Sequence, residues 1–413
     1  MQKNHRILKL ACYSTNVSMS IISNIPPILF LTFREKFGIT YSLLGLLVLI
    51  NFFTQLVVDL LFSFFSHKFN IPKAVKFTPV LCVLGLIFYA LCPLFMKGNE
   101  YIGLAIGTII FSASSGFGEV LISPVIAAIP AKDPDREMSK LHSIYAWGVV
   151  GAVTVATVFL TFVGSEYWQI LMLILAIVPL FSAIMFRFSE IPKMDTPERV
   201  SGVLEYLKNP GVWACFIAIF LGGAAECTMA QWCSGYVEQS LGIPKIFGDV
   251  FGVALFGATL GLGRTLYSKI GKNIAPVLFF GALGATLCYL VAAISPFAIV
   301  GLLACAITGF CVSMLWPGSL IVASDRFPTG GVFIFAMMAA GGDLGASVGP
   351  QLVGIITDFA IANPFLTELA QNLSIMPSQL GMKLGMLIGM LFPLAAVPLY
   401  FFIWKKHYKK KKS

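Results

Sequence analysis

The sequence predicts an all-α membrane protein of twelve transmembrane helices, arranged as two six-helix bundles with both termini in the cytoplasm. Hydrophobic residues make up 58% of the 413-residue chain and charged residues only 11%, whereas a soluble domain has roughly a quarter charged residues. A chain of this composition cannot cover a water-facing surface of its size, but it can fill a bilayer. The apolar runs are too long for membrane β-strands and lack their alternation, so helical spans are expected.

The number of spans follows from the lengths of the apolar runs. A hydrocarbon core of about 30 Å needs about 20 apolar residues in a helix. Twelve such runs cover residues 8–33, 41–66, 77–96, 101–130, 140–163, 167–186, 211–236, 247–268, 273–294, 297–324, 331–358 and 382–404. A polar segment follows the sixth run, so the sequence predicts an N-terminal bundle over 1–186, a cytoplasmic linker over 187–210, and a C-terminal bundle with a basic tail over 211–413.

The orientation follows from the basic residues, which collect on the cytoplasmic side of membrane proteins. With the N-terminus inside, 23 of the 28 lysine and arginine residues fall in the tails and inner loops, Arg264 among them. This placement also explains the net charge of +9. The lysine-rich C-terminal tail is expected to be solvated or to contact lipid headgroups, so the charge does not indicate a nucleic-acid partner.

Motifs for enzyme chemistry are missing from the sequence. The nine cysteines are scattered without a CxxC pair or a cysteine–histidine cluster, which favours small buried hydrophobes over a metal site or a disulfide scaffold. There is no glycine-rich phosphate loop and no nucleophile–base pair. We therefore expect no enzyme activity, no cofactor and no metal.

Four segments carry a resemblance to a known family. They are SDRFPTGGVFIFAMMAAGGDLGASVGPQLVGIITD at 324–358, GFGEVLISPVIAAIP in span four, LHSIYAWGVVGAV in span five and GGAAECTMAQW in span seven. The first resembles spans ten and eleven of major facilitator proteins, and the other three resemble the fucose permease-like branch of sugar/proton symporters. The resemblance implies the major facilitator fold, secondary transport by a monomer, and a protonation site at Glu119.

Four acids fall inside apolar spans: Asp59, Glu119, Glu226 and Asp343. An ionised acid at the centre of a span costs about 2.5–3.5 kcal/mol, so each is expected to have a compensating role. The sequence places no lysine or arginine near the centre of a span, so no ion-pair partner is expected and protonation should be easy. We predict proton coupling for Glu119, Glu226 and Asp343, with structural hydrogen bonds as the alternative. Asp59 lies near the cytoplasmic end, where a gate or loop contact is favoured.

Polar and aromatic residues at similar depth are candidates for substrate binding. They are Asn51, Gln55, His142, Tyr145, Trp147, Gln231, Trp232 and Trp316. Amides bind hydroxyl groups and tryptophan rings stack on sugars, so this set favours a neutral polyhydroxylated solute. A cavity without lysine or arginine disfavours anions. For each aromatic residue, helix packing is the alternative, and Asn51 also suits a contact between helices.

Three functions remain open from the sequence. The first is proton-coupled symport of a sugar or similar small neutral solute by alternating access. The second is efflux of amphipathic or cationic drugs in exchange for protons, which acids and aromatic residues would also serve. The third is a membrane sensor that transports nothing. The short loops and tails indicate a multi-pass protein of the plasma membrane, in particular a bacterial inner membrane, whose partners are a small-molecule substrate, protons and the lipid bilayer.

Overall fold

The computed structural model describes residues 2–65, 69–130, 134–192, 203–271, 273–327 and 331–405. Within these ranges every regular element is a helix. The helices up to the linker are α1 (Gln2–Ile28), α2 (Phe30–Phe37), α3 (Tyr41–Phe65), α4 (Ile71–Phe95), α5 (Glu100–Ala128), α6 (Pro134–Phe162), α7 (Trp168–Leu175) and α8 (Ile177–Arg187).

The second half of the chain continues with ten further helices. These are α9 (Val203–Lys208), α10 (Pro210–Leu241), α11 (Lys245–Phe247), α12 (Leu255–Ile270), α13 (Ile274–Ile294), α14 (Ala298–Val312), α15 (Leu315–Arg326), α16 (Gly331–Ala362), α17 (Pro364–Asn372) and α18 (Pro377–Ile403). A π-helical turn at Gly248–Ala254 joins α11 to α12.

The described residues contain eleven candidate membrane spans, or twelve if a bent pair is counted as one span. The pair is His5–Ile28 with Phe30–Phe37, which bends by 47°. Pro26 and Pro27 lie within the last turn of α1, and a proline has no N–H for the helical ladder. The all-helical, multi-span prediction is confirmed, and the first predicted span, 8–33, is a bent helix pair.

The chain divides into two compact units. The first contains Met1–Thr32 and Ile50–Arg199, and the second contains Phe33–Leu49 and Val200–Ser413. Unlike the predicted bundles, these units assign most of α2, from Phe33 on, and the start of α3 to the second unit. Residues 193–202 of the predicted linker lie outside the described residues, so the linker stays a prediction.

Helices of the first unit pack through apolar side chains and a few buried hydroxyl groups. One cluster brings Leu8 and Cys12 of α1 together with Ile122 of α5 and Phe186 of α8. Close by, the hydroxyl oxygens of Thr15 and Ser182 lie 2.6 Å apart. Such hydrogen bonds satisfy polar groups between helices where no water is present.

Tyrosine hydroxyl groups link the helices of the second unit. Tyr289 of α13 donates to the carbonyl of Ala225 at 2.7 Å, and Tyr400 of α18 donates to that of Ala218 at 3.0 Å. In the opposite direction, Tyr236 of α10 donates to a carbonyl of α13 at 2.6 Å. All three rings are fully buried. The tyrosines therefore fix α13 and α18 against α10.

The start of α3 joins the second unit through Asp358 of α16. The two carboxylate oxygens accept hydrogen bonds from the backbone N–H groups of Tyr41 at 3.1 Å and Ser42 at 2.6 Å. The first N–H groups of a helix have no partner in their own helix, and a carboxylate there also interacts favourably with the helix dipole. This cap explains why residues 33–49 belong with α16.

We expect Gly345→Ala to destabilise the second unit, because α10 and α16 are in close contact at this point. A Cβ at Gly345 would overlap the carbonyl oxygen of Phe220. Overpacking of this kind costs about 1–3 kcal/mol, and the thermal stability of the detergent-solubilised protein measures it. Gly151→Ala is the matched control, since a Cβ there meets no atom within 4 Å. Equal melting temperatures for the two variants would contradict the close contact between α10 and α16 at Gly345.

Candidate functional site

Glu119 is an accessible acid in the middle of a membrane helix. It lies on α5, and its side chain is exposed although most of its neighbours are buried. A Cβ at Gly118 would come within 2.7 Å of Met19 on α1, and one at Gly116 within 2.8 Å of Val58 on α3. The two glycines thus let α1 and α3 approach closely beside the carboxylate.

A buried polar network lies on the same side of α5 as Glu119. The Asn51 side-chain oxygen accepts hydrogen bonds from the Ser112 hydroxyl at 2.5 Å and from the Gln55 amide at 3.2 Å. Ser112 precedes Glu119 by seven residues, which places the two on one helix face about 10 Å apart along the axis. The predicted binding residues Asn51 and Gln55 are therefore held together, and Asn51 also links α3 to α5.

Glu226 has an ion-pair partner, so the prediction that no intramembrane acid has one is wrong. The Arg264 Nη2 donates to both carboxylate oxygens of Glu226, at 3.0 and 3.2 Å. Arg264 was counted with the cytoplasmic loops. It lies instead inside α12, within the candidate span Lys245–Tyr267. Its long side chain carries the charge away from its own backbone position to α10, a property of arginine that residue counting does not capture.

The break between α14 and α15 positions the arginine. Within a helix, the carbonyl of Ser313 would accept a hydrogen bond from residue 317, but that residue is a proline and has no N–H. The Arg264 Nε donates to this carbonyl instead, at 3.1 Å. The Trp316-Pro317 pair of the sequence therefore supplies a backbone acceptor that orients the guanidinium group.

Asp343 and Trp316 lie on helices that pack beside this ion pair. Asp343 follows Gly342, whose carbonyl oxygen would lie 2.5 Å from a Cβ at Gly223, one helical turn before Glu226 on α10, and Asp343 is only 3% exposed. The Trp316 ring fills the seam between α10 and α16, where a Cβ at Gly223 would come within 3.0 Å of it. The structure thus brings three of the predicted site residues, Glu226, Asp343 and Trp316, into one region.

Other predicted residues lie apart from that region or in packing positions. Trp232 is 1% exposed, and its indole N–H donates to the carbonyl of Pro350 at 2.8 Å. Gln231 is also buried. Within the N-terminal unit, Trp147 of α6 is 74% exposed and Tyr145 is half-buried. Their roles in binding stay predictions.

His142 and Asp59 are the last two residues for which the sequence predicts a functional role. The side chain of His142 lies outside the described residues. Asp59 is buried on α3, 5% exposed, four residues after Gln55. This position favours a contact inside the first unit, and the role of Asp59 in a gate stays a prediction.

Multiple apolar helices with an exposed acid and an Arg–Glu pair inside their spans indicate a polytopic membrane protein with a polar interior. The family comparison gives the class, since residues 11–350 match the model of the Major Facilitator Superfamily. The chain belongs to this superfamily and is a multi-pass membrane transporter, not an enzyme. Among curated proteins, none has a sequence that matches the chain.

Solved structures of transporters share the fold. A bacterial homolog of the human lysosomal transporter Spinster, in an inward-facing and occupied conformation, has a TM-score of 0.75 at 13% identity and covers 98% of both chains. A D-xylose–proton symporter has a TM-score of 0.69 at 16% identity, over 95% of this chain and 97% of its own. The transporter FucP, in the outward conformation, has a TM-score of 0.59 at 16% identity, over 94% and 98%. At these identities the likeness shows the fold alone.

We expect Trp232→Phe to lower stability and to leave solute affinity unchanged. The substitution keeps an aromatic ring but removes the indole hydrogen bond to the buried Pro350 carbonyl, a loss of about 0.5–1.5 kcal/mol. Melting temperature in detergent measures the first effect and a ligand titration the second. Trp213→Phe is the matched control, because it removes a similar hydrogen bond to Leu207 at a 44% exposed ring. Weaker solute binding at full stability would return Trp232 to the binding site.

Proposed function

We propose that the chain is a secondary transporter that takes up a sugar or similar small polar solute together with protons by alternating access. In this proposal it is a monomer with both termini in the cytoplasm, in the plasma membrane of a bacterium. Membership of the superfamily supports transport. The proton coupling rests on the placement of Glu119.

The exposed carboxylate of Glu119 is the observation that carries the proposal. A proton carrier has to be reached by protons and has to respond strongly to losing one. Glu119 is exposed on α5, and in this proposal its exposed face borders the aqueous cavity of the transporter, from which protons reach the carboxylate. Glu119 meets the second condition because the ionised form at the centre of an apolar span costs about 2.5–3.5 kcal/mol, which is removed on protonation.

That energy is large enough for coupling. Coupling free energies between two ligands are typically about 1–3 kcal/mol, so protonation of one intramembrane acid can bias a conformational equilibrium by this amount. The buried Asn51, Gln55 and Ser112 network on the same helix face supplies amide and hydroxyl groups. Groups of this kind bind the hydroxyls of a polar solute, and their position relative to Glu119 links the solute to the proton.

The comparisons support the proposal at the level of the fold. A D-xylose–proton symporter has the same fold over 95% of this chain, so the architecture is compatible with sugar/proton symport. The solute of the present chain is a matter for experiment, because the identity is 16%.

We expect Glu119→Gln to abolish proton-driven uptake while leaving folding and solute exchange intact. The glutamine keeps the shape of a protonated glutamate but cannot release a proton. The measurement is uptake of radiolabelled sugars into proteoliposomes with an imposed pH gradient, compared with exchange at equal pH on both sides. A loss of about tenfold or more is expected, in line with a coupling free energy of at least about 1.4 kcal/mol.

Glu368→Gln is the matched control for this test, since it removes an exposed carboxylate from α17 and should leave uptake unchanged. Full proton-driven uptake by Glu119→Gln would remove Glu119 from the mechanism. Proton-driven expulsion of cationic dyes, without sugar uptake, would replace symport by drug efflux.

A further inference from the structure

We propose that Arg264 and Glu226 form an anion site that accepts the carboxylate of a small polyhydroxylated acid, such as a sugar acid, when Glu226 is protonated. The inference rests on the proposed function and narrows its substrate class. It reverses the expectation from the sequence that anions are disfavoured, because that expectation assumed that no cation lies beside the intramembrane acids.

The guanidinium group of Arg264 has donors to spare. Its Nε donates to the Ser313 carbonyl and its Nη2 to both oxygens of Glu226. An arginine carries five N–H donors, and in the described part of the chain the two on Nη1 donate to no protein atom. A carboxylate that approaches this edge finds a planar donor group already oriented by two protein partners, the geometry that arginine uses for carboxylates.

The pair is also accessible on the side of the arginine. The Arg264 side chain is 39% exposed, whereas that of Glu226 is 14% exposed. A solute therefore reaches the guanidinium group first. Glu226 is the less exposed partner, and its negative charge has to be neutralised before Arg264 can bind another anion well.

The charges around the pair explain why a proton is required. The titratable groups around Glu226 come from four helices. Arg264 on α12 pairs with it, and Asp343 on α16 follows Gly342, which packs against Gly223 of α10. Cys227 is its neighbour along α10, and the Tyr289 hydroxyl of α13 binds the carbonyl of the preceding Ala225. With both acids ionised, two negative charges oppose one positive charge, and an incoming anion is repelled. Protonation of Glu226 places one proton on a carboxylate oxygen, removes one negative charge and releases donors of Arg264.

The chemistry favours a monocarboxylate over a phosphate. With Glu226 protonated, the charges of Arg264 and Asp343 cancel, so a monocarboxylate adds one negative charge to the site, whereas a phosphate ester adds more than one at neutral pH and is repelled more strongly. Trp316 offers a flat aromatic ring in the adjacent seam, only partly buried. An anion with a ring or a chain of C–H and O–H groups uses both features, and this combination describes a sugar acid.

The test compares acids with their neutral counterparts on the purified protein. Calorimetric titrations use three pairs: D-glucuronate with D-glucose, D-galacturonate with D-galactose, and D-gluconate with D-glucitol. Each acid stays ionised at about pH 5.5 and about pH 7.5, since carboxylic acids titrate near pH 4. At about pH 5.5, we expect at least one acid to bind at least about tenfold more tightly than its neutral counterpart. At about pH 7.5, the same acid should bind at least about tenfold more weakly than it does at about pH 5.5.

Two variants tie the effect to the pair. Glu226→Gln keeps Arg264 and mimics the protonated glutamate, so the acid should bind at both pH values with the low-pH affinity. The double variant Glu226→Gln with Arg264→Met removes both charges, which avoids a buried unpaired charge and the folding defect that follows from one. It should still fold, with a lowered melting temperature because the Ser313 carbonyl loses the Arg264 donor, and it should lose the preference for the acid. Lys269→Met removes an exposed cation from the same helix and should change nothing.

Three results would overturn the inference. They are acids that bind no tighter than their neutral counterparts, the same pH dependence in Glu226→Gln as in the wild type, and acid binding that survives in the folded double variant. Proton-driven uptake of neutral sugars without acid binding would refute the anion site and leave the proposed symport intact. Acid binding without any proton-driven uptake would refute the symport and leave the anion site.

Discussion

A polar group that faces neither water nor a partner is costly inside a membrane, and the second unit is organised around one case of this constraint. Pro317 has no N–H, so the carbonyl of Ser313 lacks its helical donor. Arg264 supplies that donor with its Nε and is thereby oriented toward Glu226. Arg264 of α12 therefore binds two groups at once, a backbone carbonyl at the break between α14 and α15 and the carboxylate of Glu226 on α10. A change in any one of these three places affects the other two.

The same constraint decides how the helices pack elsewhere. Lipid is as apolar as the side chains, so close contact and hydrogen bonds hold membrane helices together. Buried tyrosines such as Tyr289 and Tyr400 donate to backbone carbonyls of α10, and Gly345 allows α16 to touch that helix. Asp358 satisfies the first N–H groups of α3 in the same way. The long α10 thus serves as the common surface on which α15 and α16 are positioned, and the Arg264 side chain of α12 reaches it through Glu226.

Properties that depend on run length and composition could be predicted from the sequence, and properties that depend on side-chain reach could not. Span lengths gave the helical class and the spans, and apolar context identified Glu119, Glu226 and Asp343. Arg264 was missed because the positive-inside rule counts where a residue sits in the chain, whereas its guanidinium group ends several ångströms away on another helix. Pro317 is the sequence signal for an unsatisfied carbonyl nearby, because a proline lacks the N–H that the carbonyl four residues earlier needs in a helix. The ring of Trp232 suggests stacking on a sugar, but burial depends on the packing of α10, which leaves the residue 1% exposed with its N–H on the Pro350 carbonyl.

The Arg264–Glu226 pair also changes what the acids of this protein imply. Isolated intramembrane acids favour the binding of cations or neutral solutes. An acid paired with an accessible arginine favours the binding of anions once the acid is protonated, because the arginine charge is then no longer balanced by it. Linkage requires the effect to be mutual: if a proton on Glu226 raises the affinity for an anion, the anion raises the affinity for the proton by the same factor. Proton and anion would then bind and leave together within a single unit of the chain, and Glu119 in the other unit would carry a separate proton. The two proposed protonation positions then differ in what protonation exposes: a neutral acid at Glu119 and a free cation at Arg264.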